Sequence, residues 1–334
     1  MATTTTRSSA ATPIMIGPHQ IDGRVVLAPM AGISDAPFRR LCVDHGAAFA
    51  ATEMTLANHG VRATAKTGSR LDFSGTRGLR IVQIAGGDEH LLATAAREAV
   101  DLGAEIVDIN MGCPAKKVCR KLAGSALMKD EDLVARILDA VINAADVPVT
   151  LKIRTGWDTT RRNGVRIARL AERSGIAAIA VHGRTRACGY KGEAEYETIR
   201  NVKRAVNIPV FANGDIDTPQ KAFSVLQTTG ADGIMIGRGA QGQPWLFDQV
   251  AKFVTRNVHV PVPSIDTLRD IILAHLDTIY RFYGERIGVR VAKKHLTWYC
   301  KSLVNSEALR FQFVRAESSS RQMQLTTNFF DRGL

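Results

Sequence analysis

Short apolar runs along the chain end repeatedly in side chains able to bind or react: Met30, Glu53, Gln83, Asn110, Lys152 with Arg154, His182, Asn213 with Asp215, and Arg238. A lysine such as Lys152, closing a buried run, must be paired or must face a ligand. Against the pyrimidine edge of a flavin it would stabilise the negative charge of the reduced ring. Gln83 and Asn110 can meet the donors and acceptors of the same heterocycle, and the Pro29-Met30-Ala31 turn offers backbone at close range. Gly237, Gly239 and Gly242 in "GIMIGRGAQG" imitate a dinucleotide fingerprint, but that fingerprint belongs to a first βαβ unit, and here only helices follow. With "ANGDI" (212–216), which supplies Asn213, Gly214 and Asp215, this loop reads instead as a phosphate cradle that includes Gly237 and Arg238. A thiol, Cys113 in "DINMGCPAKKV" (108–118), also follows such a run. A lone cysteine is ordinarily inert packing, the reading given to Cys42, Cys119, Cys188 and Cys300.

The runs that must position these groups are "RVVLAP" (24–29), "AFAATEM" (48–54), "LRIVQIAG" (79–86), "EIVDINMG" (105–112), "VTLKIRTG" (149–156), "AAIAVHGRT" (177–185), "PVFANGD" (209–215) and "GIMIGRG" (233–239). Between most of them lie segments of helical periodicity, such as 88–103, 130–146 and 164–175. Gly103, Gly175 and Gly230 each stand where a left-handed helix C-cap is required. Strands and helices alternating eight times predict a (β/α)₈ TIM barrel, whose strands are buried on both faces and whose ends converge on one mouth. An open doubly wound sheet is the structural rival, but it would spread those ends along an edge.

From about Pro244 strand signals stop and helical ones take over. Val289, Ala292, Leu296, Tyr299 and Leu303 form one apolar stripe, while Arg286, Arg290, Lys293, Lys294 and Lys301 lie on another face. No acid occurs between Glu285 and Glu307, and Trp298 stands beside the bases. Bases interleaved with a stacking surface suit RNA; a solvated basic face is the plain alternative. The predicted division is a flexible tail (1–15), a catalytic barrel (16–243) and a smaller all-helical domain (244–334).

The net charge of +12 over 334 residues favours polyanionic partners. Five dispersed cysteines without a CxxC pair argue against a disulfide framework and against a zinc site, so no metal is expected and a reducing cytoplasm fits best. No run approaches a membrane span, and "MATTTTRSSAATP" lacks the apolar core of a secretory signal. Oligomeric state is not fixed by any of these features; a monomer is the expectation.

"LAPMAGISDAPFR", "QIAG", "DINMGCPAKKV", "LKIRTGW", "VHGRTRACGYKG", "ANGDI" and "GADGIMIGRGAQGQPWLF" occur in one order, and the chain thereby resembles the tRNA-dihydrouridine synthases, most of all their bacterial DusB-type branch. The resemblance spans residues 16–250 strongly and the helical tail more weakly, through "RVAKKHLTWY" (290–299). It implies reduction of the carbon 5–carbon 6 double bond of uridine in tRNA, with non-covalent FMN as cofactor and NADPH as electron donor. It implies FMN binding at Pro29, Met30, Ala31, Gln83, Lys152, His182, Asn213, Gly214, Asp215, Gly237 and Arg238, and a target uracil held by Asn110, Arg154 and Tyr190. Cys113 gains a role within it, since hydride adds to carbon 6 of the base and carbon 5 then needs a proton from the opposite face. A thiol with a pKa of about 8.5 is mostly protonated at neutral pH yet acidic enough to give its proton up. Lys116 and Lys117 would lower that pKa, so their side chains are expected to face phosphate instead of the sulfur. The tail bases and Trp298 would bind tRNA, and the base would be swung out of its stack into the mouth.

Two rivals share some of these features. A flavin barrel acting on a free pyrimidine has no need of the basic helical tail, and a non-catalytic flavin-containing RNA-binding protein has no need of Cys113.

Overall fold

A computed structural model of the chain describes residues 13–57, 68, 71–73, 75 and 77–331. The chain opens with a hairpin of β1 (Ile14–Ile16) and β2 (His19–Ile21). Eight parallel strands follow: β3 (Val25–Leu27), β4 (Thr55–Leu56), β5 (Ile81–Ala85), β6 (Ile106–Met111), β7 (Val149–Arg154), β8 (Ala178–His182), β9 (Val210–Asn213) and β10 (Gly233–Ile236). Their spatial order is β3-β10-β9-β8-β7-β6-β5-β4. Residues 48–52 close the ring, since the Leu27 N–H donates to the Phe49 carbonyl at 3.0 Å and the Thr52 N–H to the Ile81 carbonyl at 2.9 Å. The second predicted run is therefore this closing segment, although its regular pairing comes later, at Thr55–Leu56. The result is the predicted TIM barrel.

The described barrel helices are α1 (Ala36–Asp44), α2 (Glu89–Asp101), α3 (Glu131–Ala144), α4 (Gly164–Ser174), α5 (Glu197–Ala205), α6 (Pro219–Thr229) and α7 (Leu246–Arg256). Four begin at side-chain caps, Asp35, Asp88, Asp130 and Thr218, each accepting an N–H from the first turn. The three predicted glycine caps all have positive φ.

Strand periodicity decides which residues reach the mouth. Val107, Ile109 and Met111 of β6 pack outward against the helices, so Ile106, Asp108 and Asn110 point inward. The register puts Gln83 beside Asp108, Asn110 beside Lys152, Arg154 beside His182 and His182 beside Asn213. Inside the barrel, apolar side chains fill the end at which the strands begin. Ile14, Ile16 and Ile21 of the hairpin join Phe49, Ile81, Ile106 and Phe211 there. The hairpin thus plugs the end opposite the mouth. The expected tail of residues 1–15 is too long by Ile14 and Met15, which lie in β1; its first twelve residues fall outside the described part.

The helical domain contains α8 (Ile265–Tyr299), α9 (Glu307–Arg315) and α10 (Ser319–Asp331). Although its turns run on in sequence, α8 breaks at Gly284, whose φ of 70° and ψ of 173° are non-helical. Glycine takes that φ without a Cβ penalty. The two arms fold back on each other, and a Cβ on Gly288 would lie 3.1 Å from the Tyr280 Cα. Their seam is a second core of Leu268, Ile272, Leu276, Ile279, Ala292, Leu296 and Tyr299, joined by Phe313 of α9, and it takes up Ala292, Leu296 and Tyr299 of the predicted stripe. The division expected after residue 243 falls too early. Leu246, Phe247 and Val250 of α7 belong to the barrel core, so α7 is the barrel's last helix and the helical domain begins beyond it.

Candidate active site

The mouth is built on a buried polar chain. Thr150 Oγ1 donates to Asp108 Oδ1 at 2.7 Å, and Gln83 Nε2 to Asp108 Oδ2 at 2.6 Å. Asn110 Nδ2 donates to Gln83 Oε1 at 2.9 Å, and Asn110 Oδ1 accepts the N–H groups of Gly112 at 3.1 Å and Cys113 at 2.9 Å. Each amide is thus fixed in orientation by its neighbour, and the chain ends on the backbone carrying the thiol. Asp108 anchors it, and burial pushes its carboxyl pKa up.

Lys152, 8% exposed, donates to Asn213 Oδ1 at 3.1 Å, and Asn213 Nδ2 in turn donates to the Met235 carbonyl at 2.8 Å. Burial, with the Arg154 charge adding to it, lowers the Lys152 ammonium to about 8. His182 is pushed down to about 2 by burial and by Lys152, Arg154, Arg184 and Arg238, so its imidazole is neutral. Cys113 is half-buried, and burial raises its thiol pKa although the Ala115 N–H, Arg154 and Lys152 act in the other direction. Lys116 and Lys117 are exposed on the one-turn helix after it. Cys119, expected as inert packing, has its Sγ 3.6 Å from the Cys113 carbonyl.

Arg154 is engaged more fully than a simple substrate contact requires. Its Nε donates to the Gly112 carbonyl at 2.7 Å, and its Nη1 to the Thr185 and Gly189 carbonyls at 2.9 and 2.7 Å. It therefore ties the Cys113 loop to the loop bearing Tyr190. Among the described residues these bonds use Nε and Nη1 and leave the Nη2 edge for a ligand. Tyr190 is 57% exposed. Its ring lies 5.4 Å from the Arg154 guanidinium and 5.0 Å from that of Arg238.

The two loops of the predicted cradle meet at the mouth, but the Asp215 side chain is not aimed at an anion. Its carboxylate takes a bidentate pair from Arg184, with Nη1 at 2.8 Å and Nη2 at 2.6 Å, and accepts the Ala194 N–H at 2.8 Å. Desolvation works against ionisation, but these bonds and the Arg184 and Arg238 charges hold its pKa below the usual range. Only the backbone of Asp215 could meet a phosphate. Glycine is needed where the two loops meet, because a Cβ on Gly239 would lie 2.2 Å from the Ile216 carbonyl oxygen. Arg184 is 3% exposed and belongs to the site's framework.

Asp108 and Arg184 are parts of the mouth's hydrogen-bonded framework that the sequence reading misses. Two-residue periodicity back from Asn110 identifies Asp108 as inward-facing; the Arg184–Asp215 pair has no comparable signal.

The tail residues divide. Arg286 and Arg290 are exposed and Lys293 is half-exposed. Lys294 instead donates to the Gly32 carbonyl in the turn after β3, because a step of one residue rotates a side chain by roughly 100° around the helix. Trp298 is half-buried, with its ring edge-on to His295 at 5.0 Å, and is less open as a stacking platform than the sequence suggests.

A closed barrel with a half-buried thiol, a buried lysine and a glycine-bearing loop pair at its C-terminal mouth has the architecture of a TIM-barrel enzyme. The likeness to a solved structure, 6-hydroxypseudooxynicotine amine oxidase from Pseudomonas geniculata N1, concerns the fold alone: the TM-score is 0.55 at 14% identity, over 74% of this chain and 50% of that one. The family described as Dihydrouridine synthase (Dus) matches residues 26–332, and the chain belongs to it. Proteins named tRNA-dihydrouridine synthase B are 54% identical in Xanthomonas campestris, over 95% of this chain and 96% of that one. In Pseudomonas aeruginosa the identity is 52%, with the same two coverages. In Vibrio cholerae it is 51%, over 95% and 98%.

Among the described residues no helix is long and apolar enough to cross a membrane, and no group of three or more His, Cys, Asp or Glu side chains is placed to hold a metal ion.

Proposed function

We propose that this enzyme reduces the carbon 5–carbon 6 double bond of specific uridines in tRNA, with non-covalent FMN as cofactor and NADPH as electron donor. The observation that carries the reading is the convergence of Cys113, Asn110, Lys152 and Arg154 on one mouth. Asn110 aims the Cys113 backbone at 2.9 Å, and Arg154 holds the same loop through the Gly112 carbonyl at 2.7 Å.

The residues fit FMN. On the wall from β6 to β10, Lys152, Arg154, Arg184 and Arg238 face two carboxylates, Asp108 and Asp215, and the excess of cations suits an anionic ligand. Lys152 and Gln83 would meet the polar edge of the ring, the Pro29-Met30-Ala31 turn would approach it with backbone, and neutral His182 would offer an uncharged nitrogen. Asn213, Gly214, Gly237 and Arg238, with the Asp215 backbone, would cradle the phosphate. When bound and reduced, FMN supplies the hydride for carbon 6 of the base.

The chain's own residues do the rest. Asn110 and the Arg154 Nη2 edge hold the uracil, with the Tyr190 ring beside Arg154 covering it. The Cys113 thiol, kept protonated by burial, delivers its proton to carbon 5. The relatives' name supports tRNA as substrate. A base drawn out of a folded tRNA needs phosphate contacts beside the mouth, which Arg286, Arg290 and Lys293 would provide. Thiols throughout the described chain fit a cytoplasmic protein.

Mapping dihydrouridine in tRNA from cells lacking this chain tests the reading. At least one position should lose the modification and regain it on re-expression; an unchanged map would refute the assignment.

A further inference from the structure

The turn after β3, Pro29 to Asp35, is gripped from the helical domain. Lys294 Nζ, on the second arm of α8, donates to the Gly32 carbonyl. The Tyr283 hydroxyl, at the end of the first arm, donates to Asp35 Oδ2 at 3.0 Å. From the barrel side, Glu53 Oε1 accepts the Gly32 N–H, and Asp35 Oδ1 caps α1 by accepting the Phe38 N–H at 3.0 Å. Both peptide groups of Gly32 are therefore held, one by a barrel carboxylate and the other by an ammonium of the helical domain. In a planar trans peptide the Ala31 carbonyl points opposite to the Gly32 N–H, so its direction is set as well. Ser34 Oγ accepts the Met30 N–H at 2.7 Å, and the Ser34 N–H donates back to the Met30 carbonyl at 2.9 Å. Phe38, in α1, packs between His275 at 5.9 Å and His295 at 5.4 Å. The grip is thus part of a packed interface and not a pair of isolated surface bonds.

From this geometry we infer that Lys294 and Tyr283 are positioning residues for the flavin: the helical domain orients the Pro29-Met30-Ala31 turn from outside the barrel, and Lys294 is not a tRNA phosphate contact. The inference rests on the reading of that turn as a flavin contact. Its consequence is a division of labour on α8. Arg286, Arg290 and Lys293 face outward to the nucleic acid, while Lys294, one residue on, faces the cofactor turn. The helical domain is then a wall of the cofactor site as well as a handle for RNA.

The test uses the full-length protein, with FMN affinity read from quenching of flavin fluorescence and tRNA affinity measured over a salt series at saturating FMN. Lys294→Met should weaken FMN by roughly tenfold, as expected for loss of one charge-assisted bond to the turn. Tyr283→Phe should weaken it in the same direction, and Lys294→Arg should recover most of the loss by keeping a donor of similar reach. Lys293→Gln should leave FMN affinity as in the wild type. The salt slope for tRNA should be unchanged in Lys294→Met, and a circular dichroism melt confirms that each variant folds. Wild-type FMN affinity in Lys294→Met would overturn the inference, as would a reduced salt slope with FMN affinity intact. Absence of FMN binding by the wild type would instead overturn the flavin reading on which it rests.

Discussion

Asn110 Oδ1 accepts the Cys113 N–H at 2.9 Å while Asn110 Nδ2 donates to Gln83 Oε1 at 2.9 Å. One strand-end amide therefore links the turn that carries the thiol to the polar chain on the floor of the mouth. A thiol placed in this way is set as a unit with the groups expected to meet the heterocycle.

Cys113→Ala is expected to leave FMN binding and NADPH oxidation nearly intact while tRNA reduction falls by roughly 10² or more, the usual scale for losing a general acid. Rapid mixing of the reduced protein with tRNA separates the two half-reactions. Dihydrouridine formation at the wild-type rate would assign the proton to another donor.

The pH dependence follows from the direction of the thiol shift. A proton donor works while protonated, and burial moves Cys113 above the ordinary thiol value. Base reduction should be insensitive to pH through neutrality and decline only as pH rises past that raised value. The residual rate of Cys113→Ala should lack this basic limb. A decline that sets in on the acid side of neutrality in the wild-type base-reduction step would contradict the assignment.

Lys152→Ala should behave differently and impair flavin binding or flavin reduction itself. Burial and the Arg154 charge lower the Lys152 ammonium to about 8, and the cation is the form that suits an anionic ligand. FMN affinity should therefore fall as pH rises through that value, and the fall should be absent in Lys152→Met. Equilibrium dialysis at a series of pH values reads both outcomes.

How much of this is legible in the chain depends on which forces are local. Alternation of apolar and polar residues along "EIVDINMG" and "VTLKIRTG" specifies both a buried strand and its inward set, so the eight strands, the mouth and most of its residues can be read directly. The N-terminal hairpin escapes that reading, although Gly17-Pro18 is a turn signal. Other features arise only when distant segments meet. Arg184 looks like any rim arginine until β9 brings Asp215 to 2.6 Å from it. Lys294 reads as one more base on a basic face until folding sets it against Gly32. The domain boundary is misplaced for the same reason: the end of strand signals at Pro244 marks the last strand, and the helix that covers it still belongs to the barrel.

For the outward face of α8, neutralising two of Arg286, Arg290 and Lys293 should weaken tRNA binding and flatten its salt dependence by about one unit of slope per lost contact. FMN affinity should not change. Trp298→Ala should weaken tRNA binding by about 1 to 3 kcal/mol if a base stacks on the ring. If the ring serves only its edge-on contact with His295, thermal stability will drop and tRNA affinity will hold. An unchanged affinity and slope in the doubly neutralised protein would move the docking site to the barrel rim, at Lys116, Lys117 and Arg186.

One mouth is expected to unite a flavin, a target uridine and the Cys113 proton. The most direct measurement is reconstitution: purified protein, FMN and NADPH are incubated with unmodified tRNA, and dihydrouridine is mapped by position. Dihydrouridine should form at defined positions with the wild type, and the rate should fall by roughly 10² or more with Cys113→Ala. Reduction of free uracil or orotate with no dihydrouridine in tRNA would contradict this assignment.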